Sequence, residues 1–93
     1  MTMIQKAAAG GLCRIKGRSE TVEILGITED NCIKMNMPQT PGRSDRPELA
    51  RTYRFIFETA NGTYEADGVV TERYHAEGQA RMIVRLTSPY YQI

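Results

Sequence analysis

A chain of 93 residues, 41% hydrophobic, without Trp and with a formal net charge of +1, has room for one core and buries roughly 60–65% of the surface its unfolded form exposes. The near-neutral balance excludes the broadly basic footprint of a domain that grips nucleic acid with its whole surface. No apolar run approaches the roughly 20 residues of a bilayer-spanning helix, and Cys13 and Cys32 lack the spacing of metal ligands or of a disulfide framework.

Residues 1–11 carry an alanine run followed by Gly10-Gly11 and read as a flexible N-terminal arm. The apolar stretch of MTMIQKAAAGGL is too short for a secretory signal, so the expectation is a soluble protein of a reducing cytoplasm. From Leu12 to Ile93 the chain reads as a single domain. LCRIK is a short first strand, ETVEILGIT and CIKMNM are the next two, and Glu29-Asp30-Asn31 is the turn between them. Pro38, Pro41, Gly42 and Pro47 then exclude a continuous strand and predict a long loop, with one helical turn at PELAR.

TYRFIFETA and TYEADGVVTERY flank Asn61-Gly62, the pair that favours a two-residue type I′ hairpin turn. Setting Ala60 opposite Thr63 puts Tyr53, Phe55 and Phe57 on one face with Ala66, Gly68 and Val70, rings against small partners. The other face carries Arg54, Glu58, Glu65 and Asp67, with Ile56 and Val69 as apolar exceptions, and Gly68 marks a bend or bulge. ARMIVRLT follows beyond the Gly78 turn as the sixth strand. The expected core is built on Tyr53, Phe55, Phe57, Tyr64 and Tyr74. Six short antiparallel strands, each apolar on one face, close most economically into a small all-β barrel without exposed edges.

Two local patterns bear on function. Arg14 and Arg18 bracket Ile15, Lys16 and Gly17 as RxxxR, and Gly26-Ile27-Thr28-Glu29-Asp30-Asn31 has a hydrophobic-hydroxyl centre. With the strand order, these make residues 14 to 88 resemble a PilZ domain, a family of six-stranded barrels. Many of its members bind cyclic di-GMP through RxxxR and a [D/N]-hydrophobic-S-x-x-G motif. The resemblance implies a ligand site at Arg14, Lys16, Arg18, Thr28 and Asn31, with guanidinium groups forking onto phosphates. The second motif departs from the family: Gly26 stands where the amide or carboxylate belongs, Asn31 replaces the final Gly, and Glu29 and Asp30 add charge of the wrong sign. The site is a degenerate one, in which cyclic di-GMP binding is weak or absent.

The reading that follows is a non-catalytic bacterial regulatory module acting through a larger protein partner. Arg43, Arg46 and Arg51 of the loop and Tyr90 and Tyr91 near the C-terminus are its candidate contacts, the two tyrosines serving equally as a plug for the barrel end. The alternatives are a cyclic di-GMP receptor using Arg14 and Arg18, or a phage- or plasmid-encoded inhibitor. Nucleic-acid binding through Arg14, Lys16, Arg18, Lys34, Arg54 or Arg81 with Tyr53 or Tyr74 as stacking platforms fits the charge less well. His75 beside Glu77 stands without any nucleophile, metal or P-loop motif, so neither catalytic residues nor a metal or cofactor are expected.

Overall fold

Period-two alternation of apolar and polar residues runs through the chain, and it is expressed as strands. The computed structural model describes residues 10–28, 31–38, 47–59 and 62–92. They form β1 (Leu12–Ile15), β2 (Val22–Ile27), β3 (Cys32–Asn36), β4 (Thr52–Thr59), β5 (Gly62–Ala76), β6 (Gln79–Leu86) and the two-residue β7 (Tyr91–Gln92), with no helix among the described residues. The sheet order is β4-β1-β2-β3-β6-β5-β7, every neighbouring pair is antiparallel, and an additional β4–β5 pairing closes six strands into a barrel. Closure satisfies the strand edges that an open sheet would leave exposed. Of the expected arm, residues 1–9 lie outside the described residues. Gly10 N–H already donates to Ile24 O, and Ile24 N–H to Gly11 O, so the sheet begins two residues before Leu12.

β5 makes this closure possible. Its 15 residues pair with β4 over 62–69 and with β6 over 68–76, so one strand serves two neighbours on successive stretches. β7 then continues the line of β6 along the freed edge, placing Tyr91 opposite Glu65. Inward-facing residues fill the interior: Cys13, Ile15, Ile24, Ile33, Met35, Phe55, Phe57, Ala66, Val70, Met82 and Val84 are all buried. With no Trp to supply bulk, Phe55 and Phe57 are the largest fully buried side chains, and Met35 and Met82 fill the gaps around them.

The first hairpin departs from the expected register. Thr59 pairs with Gly62, Arg54 with Asp67, Phe55 with Ala66 and Phe57 with Tyr64, two residues away from the alignment that Asn61-Gly62 suggests. A slip of two preserves which side chains face inward. The observed register sets Arg54 directly opposite Asp67, an opposite-charge cross-strand pair, whereas the expected one would set it opposite Val69. In the second hairpin the two central turn positions both take positive φ, Glu77 at 53° and Gly78 at 77°, between the paired residues Ala76 and Gln79.

Two further expectations are corrected. Gly68 is not itself the bulge; the register shift lies between Val70 and Glu72, and because it moves the alternation by one residue, Tyr74 pairs with Arg81 and is half-buried instead of lying in the core. The PELAR segment makes a turn and no helix: Ala50 takes φ 64° and its N–H donates to Val70 O at 2.8 Å, docking the segment onto β5.

Cys13 is 1% exposed, and burial pushes its thiol far above the ordinary range. Because the folded value lies above the unfolded one, the stabilising contribution is complete below the unfolded thiol value, about 8.5, and is lost progressively as pH rises past it. Urea unfolding between pH 8 and 10 is expected to show stability falling more steeply in the wild type than in Cys13→Ala, with a difference approaching about 1.4 kcal/mol per pH unit above the unfolded value. Equal slopes would mean that Cys13 is accessible to water in the folded protein.

Candidate functional site

The outer face of β1, β4 and β5 carries an ordered charged lattice. Arg54 is its centre. Its Nε and Nη2 donate to the two carboxylate oxygens of Asp67 at 2.6 and 3.4 Å, and Nη1 donates to Glu65 Oε1 at 3.3 Å. Lys16 Nζ reaches the same Glu65 oxygen at 3.4 Å, and the Lys16 backbone N–H donates to Arg54 O. The Arg54 guanidinium also lies 5.5 Å from the centroid of the Tyr91 ring. Beneath this lattice Ile56, between Arg14 and Glu65 in the register, is only 5% exposed although it faces outward; long charged neighbours cover such a residue with their aliphatic stems.

The residues implied by the resemblance do not converge. Arg14 bends back onto the β1–β2 turn, its Nη1 donating to Arg18 O at 3.4 Å, and Lys16 is paired with Glu65. Arg18 precedes β2, whereas Thr28 follows it, and the strand between spans about 17 Å at 3.3 Å per residue. Thr28 and Asn31 serve the backbone of the β2–β3 turn: Thr28 N–H donates to Cys32 O, Asn31 O accepts from Leu86 N–H, and Asn31 takes φ 57°, a conformation that asparagine tolerates better than most residues. Glu29 and Asp30 lie outside the described residues.

Among the candidate partner contacts, Arg43 and Arg46 lie outside the described residues. Arg51 is exposed, bonded to Glu48 Oε2 at 2.7 Å, and set over the Tyr53 ring at 5.5 Å. The hydrogen bond to Glu48, then the charges of Tyr53 and Glu48, raise its guanidinium above the ordinary value. Tyr90 and Tyr91 separate, as neighbours on an extended chain do. Tyr90 packs edge-on against Phe57 at 5.5 Å and Tyr64 at 6.1 Å, plugging the barrel, while Tyr91 is 51% exposed on the charged face. For the nucleic-acid alternative, Lys16, Arg54 and Arg81 are each engaged by a carboxylate and Tyr53 packs partly into the core.

A concave feature at the other side of β5 was not legible in the sequence. Under the β5–β6 hairpin a cleft of about 310 Å³ is lined by Met37, Leu49, Arg73, Tyr74, His75 and Ala80. The bulge after Val70 places Arg73 opposite Met82 and His75 opposite Ala80, on the face that elsewhere forms the core. Among the described residues no group of three His, Cys, Asp or Glu side chains is arranged to hold a metal ion, and no helix is long and apolar enough to cross a membrane.

No protein-family model matches the chain, no curated protein matches it and no solved structure matches it.

Proposed function

We propose that this chain is a non-catalytic regulatory binding module of PilZ-like architecture that works through contact with a protein partner, with cyclic di-GMP bound weakly or not at all. One observation carries the reading: Glu65 and Asp67 hold Lys16, within the Arg14–Arg18 segment, and Arg54, whose carbonyl accepts from the Lys16 N–H. A phosphate brought to Lys16 meets the Glu65 carboxylate, which is 15% exposed, and a like-charge contact near 4 Å costs about 4 kcal/mol at an effective dielectric of 20. A protein surface of mixed charge meets no such penalty. Arginine and tyrosine held in place before binding lose little side-chain entropy on contact and are frequent anchors of interfaces.

The test has two arms. Calorimetric titration of the protein with cyclic di-GMP is expected to give no binding at tens of micromolar; micromolar binding that Arg14→Ala together with Arg18→Ala abolishes would establish the receptor reading instead. In the second arm, a photo-crosslinking amino acid replaces Tyr91 in bacterial source cells. It is expected to give a discrete protein adduct that Arg54→Ala removes, while the same group at exposed Thr71 gives none. Absence of any adduct specific to position 91 would count against the partner-binding face.

A further inference from the structure

We propose that the cleft under the β5–β6 hairpin binds a carboxylate carried on a compact apolar group. Three features of the cleft point to that chemistry. The first is the bulge between Val70 and Glu72. Without the extra residue, Glu72 would pair with Met82 and Tyr74 with Ala80; with it, Arg73 and His75 take those register positions with their side chains exposed at the cleft, and the acid is moved to the position opposite Ile83. Bulges re-aim side chains in this way beside functional sites.

The second feature is charge. Arg73 Nη1 donates to Pro47 O at 3.2 Å, a neutral acceptor that orients the guanidinium without neutralising it and leaves further N–H donors of the fork for a ligand. Lys16, Arg51, Arg54 and Arg81 each have a carboxylate partner; Arg73 has none among the described residues. Of the acids on the neighbouring segments, Glu72 pairs in the register with Ile83, one position off from Arg73 opposite Met82, Glu48 is bonded to Arg51, and Glu77 to Arg81. The described lining of the cleft contains no acidic side chain, and His75 adds a second nitrogen donor beside Arg73.

The third feature is the apolar wall. Met37 and Ala80 belong to the core cluster, whereas Leu49, a large side chain held by the docked turn at 48–51, is 50% exposed at the rim. A volume of about 310 Å³ is at the small end of the range for small-molecule sites, roughly 300–1,000 Å³. It suits one apolar side chain or a short alkyl or aryl group, with the carboxylate forked onto Arg73. This site uses none of the residues of the charged face and stands or falls separately from the protein-contact reading.

The carboxylate has two natural sources, a free fatty or aryl acid and the C-terminus of a peptide. Octanoate and N-acetyl-leucine probe them, with octanamide and N-acetyl-leucinamide as neutral controls. In a ¹H–¹⁵N NMR titration of the whole chain, at least one of the two acids is expected to shift the resonances of residues 48–50, 73–75 and 79–81, with its amide at least about tenfold weaker, as loss of a charge-assisted hydrogen bond implies. The acid that binds tighter identifies the source. Arg73→Gln should weaken binding by about tenfold or more, and Leu49→Ser, at an exposed position that leaves the guanidinium in place, should weaken acid and amide alike. The proposal is overturned if neither acid binds by 10 mM, if shifts localise away from these segments, if acid and amide bind equally, or if either variant binds as well as the wild type.

Discussion

Phe57→Ala is expected to lower the unfolding free energy by about 3–5 kcal/mol, the range for removing a fully buried aromatic ring. Phe57 is 0% exposed. Its ring meets Phe55 at 6.4 Å and Tyr90 at 5.5 Å, and Tyr90 in turn meets Tyr64 at 6.1 Å. The loss is therefore larger than one side chain: the residue that plugs the barrel end rests on the ring being removed, and β7 follows Tyr90 directly. For a domain whose total stability is of order 5–15 kcal/mol, this change takes a large share of it. Urea denaturation followed by tyrosine fluorescence is the measurement. Phe57→Leu, which retains most of the volume, should cost clearly less. If both substitutions cost under about 1 kcal/mol, the size expected of a tolerated swap, the aromatic stack does not support the barrel. Photo-crosslinking at position 91 in Phe57→Leu would then report whether the charged face depends on that support, because Tyr91 is carried by the same short strand.

The strand faces were readable because alternation is a local property: Tyr53, Phe55 and Phe57 could be assigned to one side without knowing what they packed against. Register was less so. Asn61-Gly62 is a strong local turn signal, yet the pairing that formed is the one that sets Arg54 against Asp67 and leaves Phe57 facing Tyr64, a choice made by side chains several residues from the turn. The error changed partners and kept faces because it was even. At the β5 bulge a single extra residue makes the shift odd, and the change is one of kind: Tyr74 is only half-buried, and exposed Arg73 and His75 hold the positions opposite Met82 and Ala80. Nothing in VVTERYH distinguishes a bulged strand from a straight one. The charged lattice was hidden for another reason. Lys16 and Glu65 are 49 positions apart and meet only because β1 and β5 lie on either side of β4, so RIKGR could be matched as letters while the acid that occupies its lysine could not be foreseen.

Gly68→Ala should be destabilising although it adds a single methyl group. The added Cβ would stand 2.6 Å from Val84 Cγ1, 3.2 Å from Phe55 Cε2 and 3.3 Å from Arg85 O, so the substitution is limited by space and not by backbone dihedrals. Gly68 sits where β5 is shared, opposite Tyr53 on one side and Leu86 on the other. Val84 is β-branched and has little freedom to turn away, and the Arg85 carbonyl belongs to a strand that cannot shift without disturbing its ladder. Overpacking of this kind costs typically about 1–3 kcal/mol, and for a chain of this length each kcal/mol lowers the melting temperature by about 4–8 °C. The decisive measurement is a double-mutant cycle with Val84→Ala. That change alone opens a cavity and is itself destabilising, but in the Gly68→Ala background it makes room for the new methyl group. The double variant should therefore be more stable than the sum of the single losses predicts, by an interaction energy within the roughly 0.5–3 kcal/mol seen for residues in contact. Strict additivity would mean that β5 moves away from β6 to admit the methyl group. In that event the cleft below the hairpin should change as well, because Arg73 and His75 are carried by the same strand, and the NMR resonances of residues 73–75 in Gly68→Ala would report the displacement.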